Sequence, residues 1–354
     1  QNNEIESQTG VKSFSGGING NALGTMLDIN TNIPMFDGSN KKLELVMDGD
    51  VIVGSDGKAT VVTKAHDITY PKGAYSITFS NGDIINSGAE HLWTIKVDSD
   101  SKKGQWHTVD TDTLMSYYNQ FSNPITRKSK KRRGIYIPRI QRVDNGREWD
   151  LDIDPYQLGY WLGDGHTNEG KITTMDSDIV AYFEESGYEL IRESDSGLAS
   201  VYRVNKGTAE TTFTSKLVKL GLSSRNSRIT KHIPEVVFNM GYYSKLEVIK
   251  GLVDSDGFIS NQKSKTGFVQ IIQSESQLKD DIVRLLKSMG CDVKITSTSA
   301  EVQNKRKEAS ESKGTTKMIV SRKTSYKIGF SMFDCPARLP RKANRWASPK
   351  FKGT

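Results

Sequence analysis

Two aspartates, Asp164 and Asp256, each lie near the end of a nine-residue segment that occurs twice in this sequence. The two copies cover residues 157–165 and 249–257 and lie 92 positions apart. Each copy predicts a short apolar helix with an Asp-Gly pair at its carboxyl end. A carboxylate there is unfavourable for the helix dipole, and two carboxylates side by side repel each other. Because a divalent cation relieves both penalties, the pair predicts a Mg²⁺ site of the kind that hydrolyses phosphodiesters.

The two helices must themselves bring these aspartates together. The third residue of each copy is a glycine, Gly159 or Gly251, and small residues let two helix backbones approach closely. Each copy is followed by a β-like stretch and an amphipathic helix, at residues 176–187 and 277–290, which predicts a pseudo-two-fold pair of α+β units. A single Asp-Gly is most often only a turn, but two copies with matching flanks favour a metal site. Asp254 occurs in the second copy only and is interpreted as a local hydrogen-bonding residue.

The positive charge of the chain is concentrated in two stretches. The 354 residues carry a net charge of +7, with nine Lys or Arg against one acidic residue in 126–147 and fourteen against four in 301–354. Such clusters favour a polyanion partner, although lysine-rich solvated loops are the simpler alternative. No apolar run approaches the roughly 18 to 20 residues of a membrane-spanning helix. Two cysteines, Cys291 and Cys335, exclude a disulfide framework and a four-thiolate zinc site, so an intracellular protein without a membrane partner is expected.

The two copies and their flanks resemble the motifs of a two-motif LAGLIDADG homing endonuclease. Pro155-Tyr156 precedes the first copy, and Lys231-His232-Ile233-Pro234 lies upstream of the second. The resemblance covers residues 151–342. It implies a monomer with internal pseudo-symmetry, two αββαββα-type repeats and two saddle-shaped sheets that straddle double-stranded DNA and cut both strands with Mg²⁺.

The resemblance also implies the residues of the site. It gives catalytic roles to Asp164, Asp256, Lys231 and Lys342, and metal-binding roles to Asp164, Asp256, Gly163 and Ser255. Lys231 is equally well explained as a phosphate-contact or loop lysine, and Lys327 is the alternative to Lys342. Gln273 is expected to read bases or position water, or only to face solvent. Contacts to the DNA backbone are predicted for Arg127, Lys128, Lys130, Lys131, Arg132, Arg133, Arg338, Arg341 and Arg345.

The amino-terminal part of the sequence is typical of a small β-rich unit. Strands are predicted at Leu43–Met47, Asp50–Val53, Ala59–Val62 and Tyr75–Phe79, with Gly- and Asn-containing hairpin turns between them. A helix is predicted at residues 108–122. The first twenty-five residues are rich in Gly, Asn and Ser and are interpreted as a flexible leader.

Two stretches of this β-rich unit resemble the Hint, or intein, splicing domain. They are residues 26–54 and Gly88-Ala89-Glu90-His91-Leu92-Trp93, and the resemblance implies that His91 polarises the first peptide bond. The nucleophile position falls on Met26, whose thioether cannot attack a carbonyl; a frame set at Ala22 places alanine there instead. The sequence also ends without a terminal His-Asn pair. We therefore expect no protein splicing from this chain.

These observations predict an α+β protein with a mostly-β Hint-like unit followed by a LAGLIDADG endonuclease. The predicted domains are a leader or host-protein segment at 1–25, the Hint-like domain at 26–125, a basic linker at 126–150 and the endonuclease at 151–354, with repeats of about 151–240 and 241–354. The predicted activity is a site-specific, Mg²⁺-dependent double-strand break in DNA, with a host (extein) protein as a further partner. The alternatives are a splicing or autoprocessing fragment and a non-cleaving DNA-binding regulator or RNA maturase.

Overall fold

The structure is a computed structural model that describes residues 11–12, 14–16, 26–71, 73–98, 104–122, 134–224, 229–260, 268–311 and 320–346. It is a mixed α/β protein with 29% helix and 30% strand, which is consistent with the predicted α+β class. The chain divides into two compact units, residues 1–145 and 146–353. The division falls within the stretch predicted as a basic linker, and the finer four-part domain scheme stays a prediction.

The first unit is built from short antiparallel strands. Its sheets have the orders β1-β3-β9-β8, β2-β7-β6, β11-β10-β12 and β4-β5, and small clusters around Val46 and Ile95 form its core. Its described elements are β1 (Val11–Lys12), β2 (Phe14–Gly16), β3 (Leu27–Asp28), β4 (Asn32–Pro34), β5 (Asn40–Lys42), a 3₁₀ turn (Leu43–Leu45), β6 (Val51–Val53), β7 (Ala59–Ala65), β8 (Ala74–Thr78), β9 (Ile84–Gly88), β10 (Leu92–Asp98), β11 (His107–Asp110), α1 (Thr111–Ser122) and β12 (Gly134–Tyr136).

Three of the four predicted strands of this unit are confirmed as β6, β7 and β8. The fourth prediction is wrong, because Leu43–Leu45 forms a 3₁₀ turn. Leu43 and Val46 are buried whereas Leu45 and Met47 are exposed, so the apolar residues face the core at a spacing of three instead of alternating. The predicted helix begins at Thr111, after strand β11.

The predicted leader contains two strands within its described part. Strand β1 pairs with β3, and β2 pairs with β7. These strands have two and three residues, too few to show an alternation of apolar and polar side chains. Main-chain hydrogen bonds to neighbouring strands define them, and the sequence does not reveal such bonds. The remainder of residues 1–25, which includes Ala22, lies outside the described residues.

The second unit has two antiparallel sheets, β13-β15-β14 and β16-β17-β19-β18, and one continuous apolar core. Its elements are α2 (Pro155–Asp164), β13 (Lys171–Thr174), α3 (Ser177–Glu184), β14 (Glu189–Ser196), β15 (Ala199–Asn205), α4 (Phe213–Lys219), α5 (Glu235–Phe238), α6 (Tyr242–Asp256), β16 (Gly257–Ile259), β17 (Val269–Ser274), α7 (Gln277–Ser288), β18 (Val293–Thr298), α8 (Ala300–Glu311), β19 (Ser325–Phe330) and α9 (Pro340–Ala343).

The two halves of this unit follow similar but unequal orders. The elements from α6 to α9 match the predicted αββαββα order, with α8 as an addition. The described part of the first half lacks the counterpart of β16 and has only the bridge between Gly165 and Ile172. Six residues separate α2 from β13, whereas twelve residues, which include β16, separate α6 from β17. The first connection is half as long and forms only the single bridge.

Local sequence signals fix the beginning of the first motif helix and the ends of the helices that follow the motifs. The Asp154 carboxylate caps α2 by accepting a hydrogen bond from the Gln157 backbone N–H at 3.0 Å, and Pro155 occupies the first helical turn. Beyond α3 and α7, Gly187 and Gly290 have φ values of 84° and 82°, a left-handed conformation that favours glycine after a helix. The expected amphipathic helices at 176–187 and 277–290 are thus confirmed as α3 and α7.

Candidate active site

Helices α2 and α6 are in direct backbone contact through their glycines. A Cβ atom added to Gly159 would overlap the Val248 carbonyl oxygen, and one added to Gly251 would overlap the Tyr156 carbonyl oxygen. Near the carboxyl ends, a Cβ on Gly163 would lie 3.2 Å from the Asp256 Oδ2 atom. The ends of the two helices are therefore adjacent, and the Asp256 carboxylate lies beside the last turn of α2.

The two motif aspartates occupy a partly buried and electrostatically unfavourable place. Burial, and then the charge of Asp256, raise the pKa of Asp164 to about 6. Burial also raises the pKa of Asp256, while the Gln273 side chain, whose Nε2 donates to Asp256 Oδ2 at 2.6 Å, lowers it. Gln273, for which the sequence left several roles open, is thus a direct partner of a motif aspartate.

A lysine from another segment also donates hydrogen bonds to the carbonyl groups at the end of each helix. Lys231 Nζ donates to the carbonyl oxygens of Gly163 and Gly165 at 2.9 and 2.6 Å. Lys342 Nζ donates to those of Val253 and Asp254 at 2.6 and 2.7 Å. A cation at this end of a helix interacts favourably with the dipole. Burial lowers the pKa of both ammonium groups to about 8.

The structure therefore brings four of the predicted site residues, Asp164, Asp256, Lys231 and Lys342, to the adjacent ends of α2 and α6. Among the described residues, no group of three or more His, Cys, Asp or Glu could hold a metal ion, so a metal at this place would have only two carboxylates and carbonyl oxygens as protein ligands. The Gly163 carbonyl accepts from Lys231, and the Ser255 carbonyl lies 3.5 Å from Lys342 Nζ. The alternative residue, Lys327, is exposed on β19.

Asp254 makes hydrogen bonds, as the sequence predicts, but its partners lie 84 to 98 positions away and are not local. Its Oδ2 atom accepts from the Tyr156 hydroxyl at 2.9 Å and from the backbone N–H groups of Arg338 and Leu339 at 2.8 and 3.0 Å. This buried carboxylate joins α6 to α2 and to the segment that leads into α9. Asp254 thereby holds in place the segment from which Lys342 reaches the helix end.

Two of the arginines predicted to contact DNA form ion pairs within the unit. The Arg338 guanidinium is 2.6 Å from Glu247 and lies over the Tyr156 ring at 4.3 Å. Arg341 forms a 2.7 Å ion pair with Asp176. Arg345 is exposed. The other predicted contacts lie outside the described residues: Arg127, Lys128, Lys130, Lys131, Arg132 and Arg133.

A residue pair near Asp164 was not found from the sequence. His166 Nε2 is 3.0 Å from Thr173 Oγ1. Thr173 lies three residues before the N-cap of α3, as Gln273 lies three residues before the N-cap of α7. Aligning the two halves on these caps would have identified Thr173 as the counterpart of Gln273.

In the first unit, Met26 and His91 contact the same turn. The Gly88 backbone N–H donates to the Met26 carbonyl at 2.8 Å, and the His91 N–H donates to the Gly88 carbonyl at 3.1 Å. The His91 side chain is buried, its ring centroid lies 4.7 Å from that of Trp93, and its Nδ1 has no hydrogen-bond partner among the described residues. Burial lowers the pKa of His91 to about 4.

The stability of the first unit should fall as His91 is forced to accept a proton. The pKa is about 4 in the folded state and 6.5 without burial, so this contribution is intact above pH 6.5 and is lost progressively towards pH 4, to a total of about 3 kcal/mol. Urea unfolding at pH 7.5 and 4.5, followed by tryptophan fluorescence, measures the loss. The variant His91→Gln should lose less stability than the wild type, and equal losses would contradict this assignment.

The second half of the second unit resembles a known protein family. Residues 244–327 match the LAGLIDADG-like domain. The match extends from α6, which carries Asp256, to β19, and LAGLIDADG domains are generally DNA endonucleases. No helix in the described ranges is long and apolar enough to cross a membrane.

Three curated proteins are similar to the chain over part of their length. The replicative DNA helicase DnaB of Mycobacterium intracellulare is 26% identical over 76% of this chain and 43% of its own length. The ATP-dependent DNA helicase Hel308 of Methanocaldococcus jannaschii is 24% identical over 69% and 19%. The iron-sulfur cluster assembly SufBD family protein ML0593 of Mycobacterium leprae is 29% identical over 46% and 18%. The chain therefore spans less than half of each relative.

Proposed function

We propose that this chain is a site-specific, metal-dependent DNA endonuclease of the two-motif LAGLIDADG type that cuts both strands as a monomer. One observation carries the proposal: the ends of α2 and α6 are adjacent, and each presents a partly buried aspartate beside a capping lysine. The match of residues 244–327 to the LAGLIDADG-like domain supports it for the second repeat. In the first repeat, α2 carries Asp164, and Lys231 caps its end in the same way. We therefore extend the proposal to a pseudo-symmetric first repeat.

The residues present fit Mg²⁺. Burial raises the pKa values of both aspartates, and the charge of Asp256 raises that of Asp164 further. A divalent cation would relieve this unfavourable charge. Mg²⁺ is commonly held by one or two carboxylates and otherwise by water and substrate phosphates. Asp164 and Asp256 would hold the metal, with the Gly163 and Ser255 carbonyls as further oxygens. When bound, the metal would lower the pKa of water and polarise the phosphodiester.

The residues of this chain then orient and neutralise the reacting phosphates. Lys231 and Lys342 are held at fixed positions by helix carbonyls, so their charges need little rearrangement to stabilise the negative charge of a transition state. With pKa values of about 8, each Nζ can also exchange a proton near neutral pH. Gln273 fixes the orientation of the Asp256 carboxylate.

The relatives support an additional proposal for the origin of the chain. A replicative helicase, an ATP-dependent helicase and an iron-sulfur assembly protein have unlike names, and each is matched over less than half its length. A segment shared by such different proteins fits an element that is inserted into host proteins. We therefore propose that the first unit is a Hint-like remnant, with Met26 at the nucleophile position and His91 beside it, and that the flanking protein is its host.

A direct test is to incubate the purified chain with a library of DNA duplexes in Mg²⁺ or in EDTA. The library should include the uninterrupted insertion site of its own gene. We expect both strands of a small set of sequences to be cut in Mg²⁺ and none in EDTA. Binding without cutting would instead favour the regulator alternative.

The autoprocessing alternative has its own test. The contact of Met26 and His91 with one turn favours it, but a thioether cannot form the thioester that thiols would cleave. Mass spectrometry after addition of a thiol should therefore detect no release of the residues before Met26. Release of that peptide would show that the first unit retains splicing chemistry.

A further inference from the structure

An arm in the second repeat has no counterpart in the first. Strands β14 and β15 are joined by two residues, Gly197 and Leu198. The equivalent strands β18 and β19 are joined by 26 residues that include helix α8. We define the arm as the described residues of this connection, 299–311 and 320–324. Because only one repeat carries it, the arm is not needed to form the repeat fold.

The arm leaves the second sheet at the end where the motif aspartate lies. In the sheet register, Gln273 of β17 is opposite Tyr326 of β19, which is opposite Ser297 of β18. The next residues of β18 and β19 in the direction of the arm, Thr298 and Ser325, are its two attachment points. Since adjacent strands lie about 5 Å apart, the arm begins about 5 to 10 Å across the sheet from Gln273, which contacts Asp256.

The arm is held together by side-chain hydrogen bonds. The Asn304 amide donates to the Ser321 carbonyl at 3.1 Å and accepts from the Ser321 backbone N–H at 2.7 Å. Gln303 donates to the Thr298 carbonyl at 2.9 Å. Helix α8 is thus fixed to the returning chain and to the end of β18, and the residues at the base of the arm have a defined position.

The cations at the base of the arm form no ion pair within the described ranges. Arg322 and Lys323 are exposed, as is Lys327 on the adjoining sheet. The charge of Lys323 contributes to lowering the pKa of Glu275, but the Glu275 carboxylate is bound by Lys279 at 2.8 Å. In the first repeat, by contrast, the sheet cations Lys171 and Arg203 are bound by Glu193 at 3.1 and 2.6 Å. The sheet cations of the first repeat are thus bound within the protein, whereas no ion pair in the described ranges holds Arg322 or Lys323.

We infer that the base of the arm, through Arg322 and Lys323, binds the phosphate backbone of duplex DNA next to the cleavage site on the side of the second repeat. The inference deepens the proposed function and rests on it for the position of the cleavage site. A polyanion of fixed geometry is the partner that fits best two adjacent, exposed cations that no ion pair holds in the described part of the chain. We expect this contact with the DNA backbone only on the side of the second repeat, because the first repeat has no arm.

The test compares the full chain with Arg322→Gln/Lys323→Gln and with a control of equal charge, Lys216→Gln/Lys219→Gln. The control lysines lie on α4, whose Phe213 and Leu217 pack into the core. Affinity for a random-sequence duplex of 40 base pairs is measured in EDTA over a range of salt concentrations. Each lost phosphate contact lowers the slope of log K against log salt by about 0.9. We expect the arm variant to lose about 2 units of slope and the control to lose none.

Other outcomes separate this inference from the proposed function. An unchanged slope in the arm variant, or an equal loss in the control, overturns the arm contact. If the wild type binds the duplex and the arm variant loses slope, the arm contact stands even when Mg²⁺ produces no cutting, and only the endonuclease proposal fails. If the wild type binds no duplex at any salt concentration, both proposals are wrong.

Discussion

Replacing Asp164 or Asp256 by asparagine should abolish double-strand cleavage while leaving DNA binding nearly unchanged. The amide removes the negative charge that would hold a divalent cation but preserves the shape of the side chain. A loss of several kcal/mol of metal-dependent stabilisation corresponds to a rate reduction on the order of 10³-fold. The measurement is the rate of cutting of each strand, with the two strands labelled separately.

The matched control for this experiment is Asp178→Asn. Asp178 is exposed in the first turn of α3, so the same chemical change there should leave cleavage of both strands intact. Retention of full double-strand cutting by either motif variant would contradict the assignment of these aspartates.

Alanine at Gly251 should strongly destabilise the second unit. The added Cβ would overlap the Tyr156 carbonyl oxygen, and this backbone atom belongs to a buried helix that cannot move aside alone. Overpacking of this kind typically costs about 1 to 3 kcal/mol and occasionally more. Urea unfolding measures the loss, and cleavage should fall as well, because a wider separation of α2 and α6 moves the two aspartates apart.

The same substitution at Gly73 provides a control. A Cβ there would lie 3.8 Å from the Ala89 Cβ, which is an ordinary contact distance. We therefore expect Gly73→Ala to leave both stability and cleavage nearly unchanged. Equal stability of Gly251→Ala and the wild type would contradict the close backbone contact between α2 and α6.

The sequence predicts the contact between the two central helices because glycines at equivalent positions of both copies mark the contact face. It does not predict the beginning of α6, which starts at Tyr242 without a side-chain cap, seven residues before the second copy. The role of Asp254 could be distinguished from that of Asp256 because only the second copy has an aspartate at the position of Asp254. The duplication allowed the two copies to be compared with each other within a single sequence.

The parts that could not be predicted depend on distant partners. Nothing in the sequence around Arg338 or Arg341 indicates that their guanidinium groups bind Glu247 and Asp176. The turn at Leu43–Leu45 has the composition of a strand, and only packing of Leu43 and Val46 into the core determines its shape. The described part of the first half forms a single bridge where the second half has β16, and no local pattern in the sequence indicates this difference.

We propose that Asp164 and Asp256 jointly hold a divalent metal at the adjacent ends of α2 and α6. Anomalous scattering from Mn²⁺ in crystals of the full chain bound to duplex DNA would locate this metal. We expect anomalous peaks within coordination distance of both carboxylates, which disappear in the Asp164→Asn/Asp256→Asn double variant. Mn²⁺ peaks that lie only elsewhere, or two carboxylates that face away from each other, would contradict it.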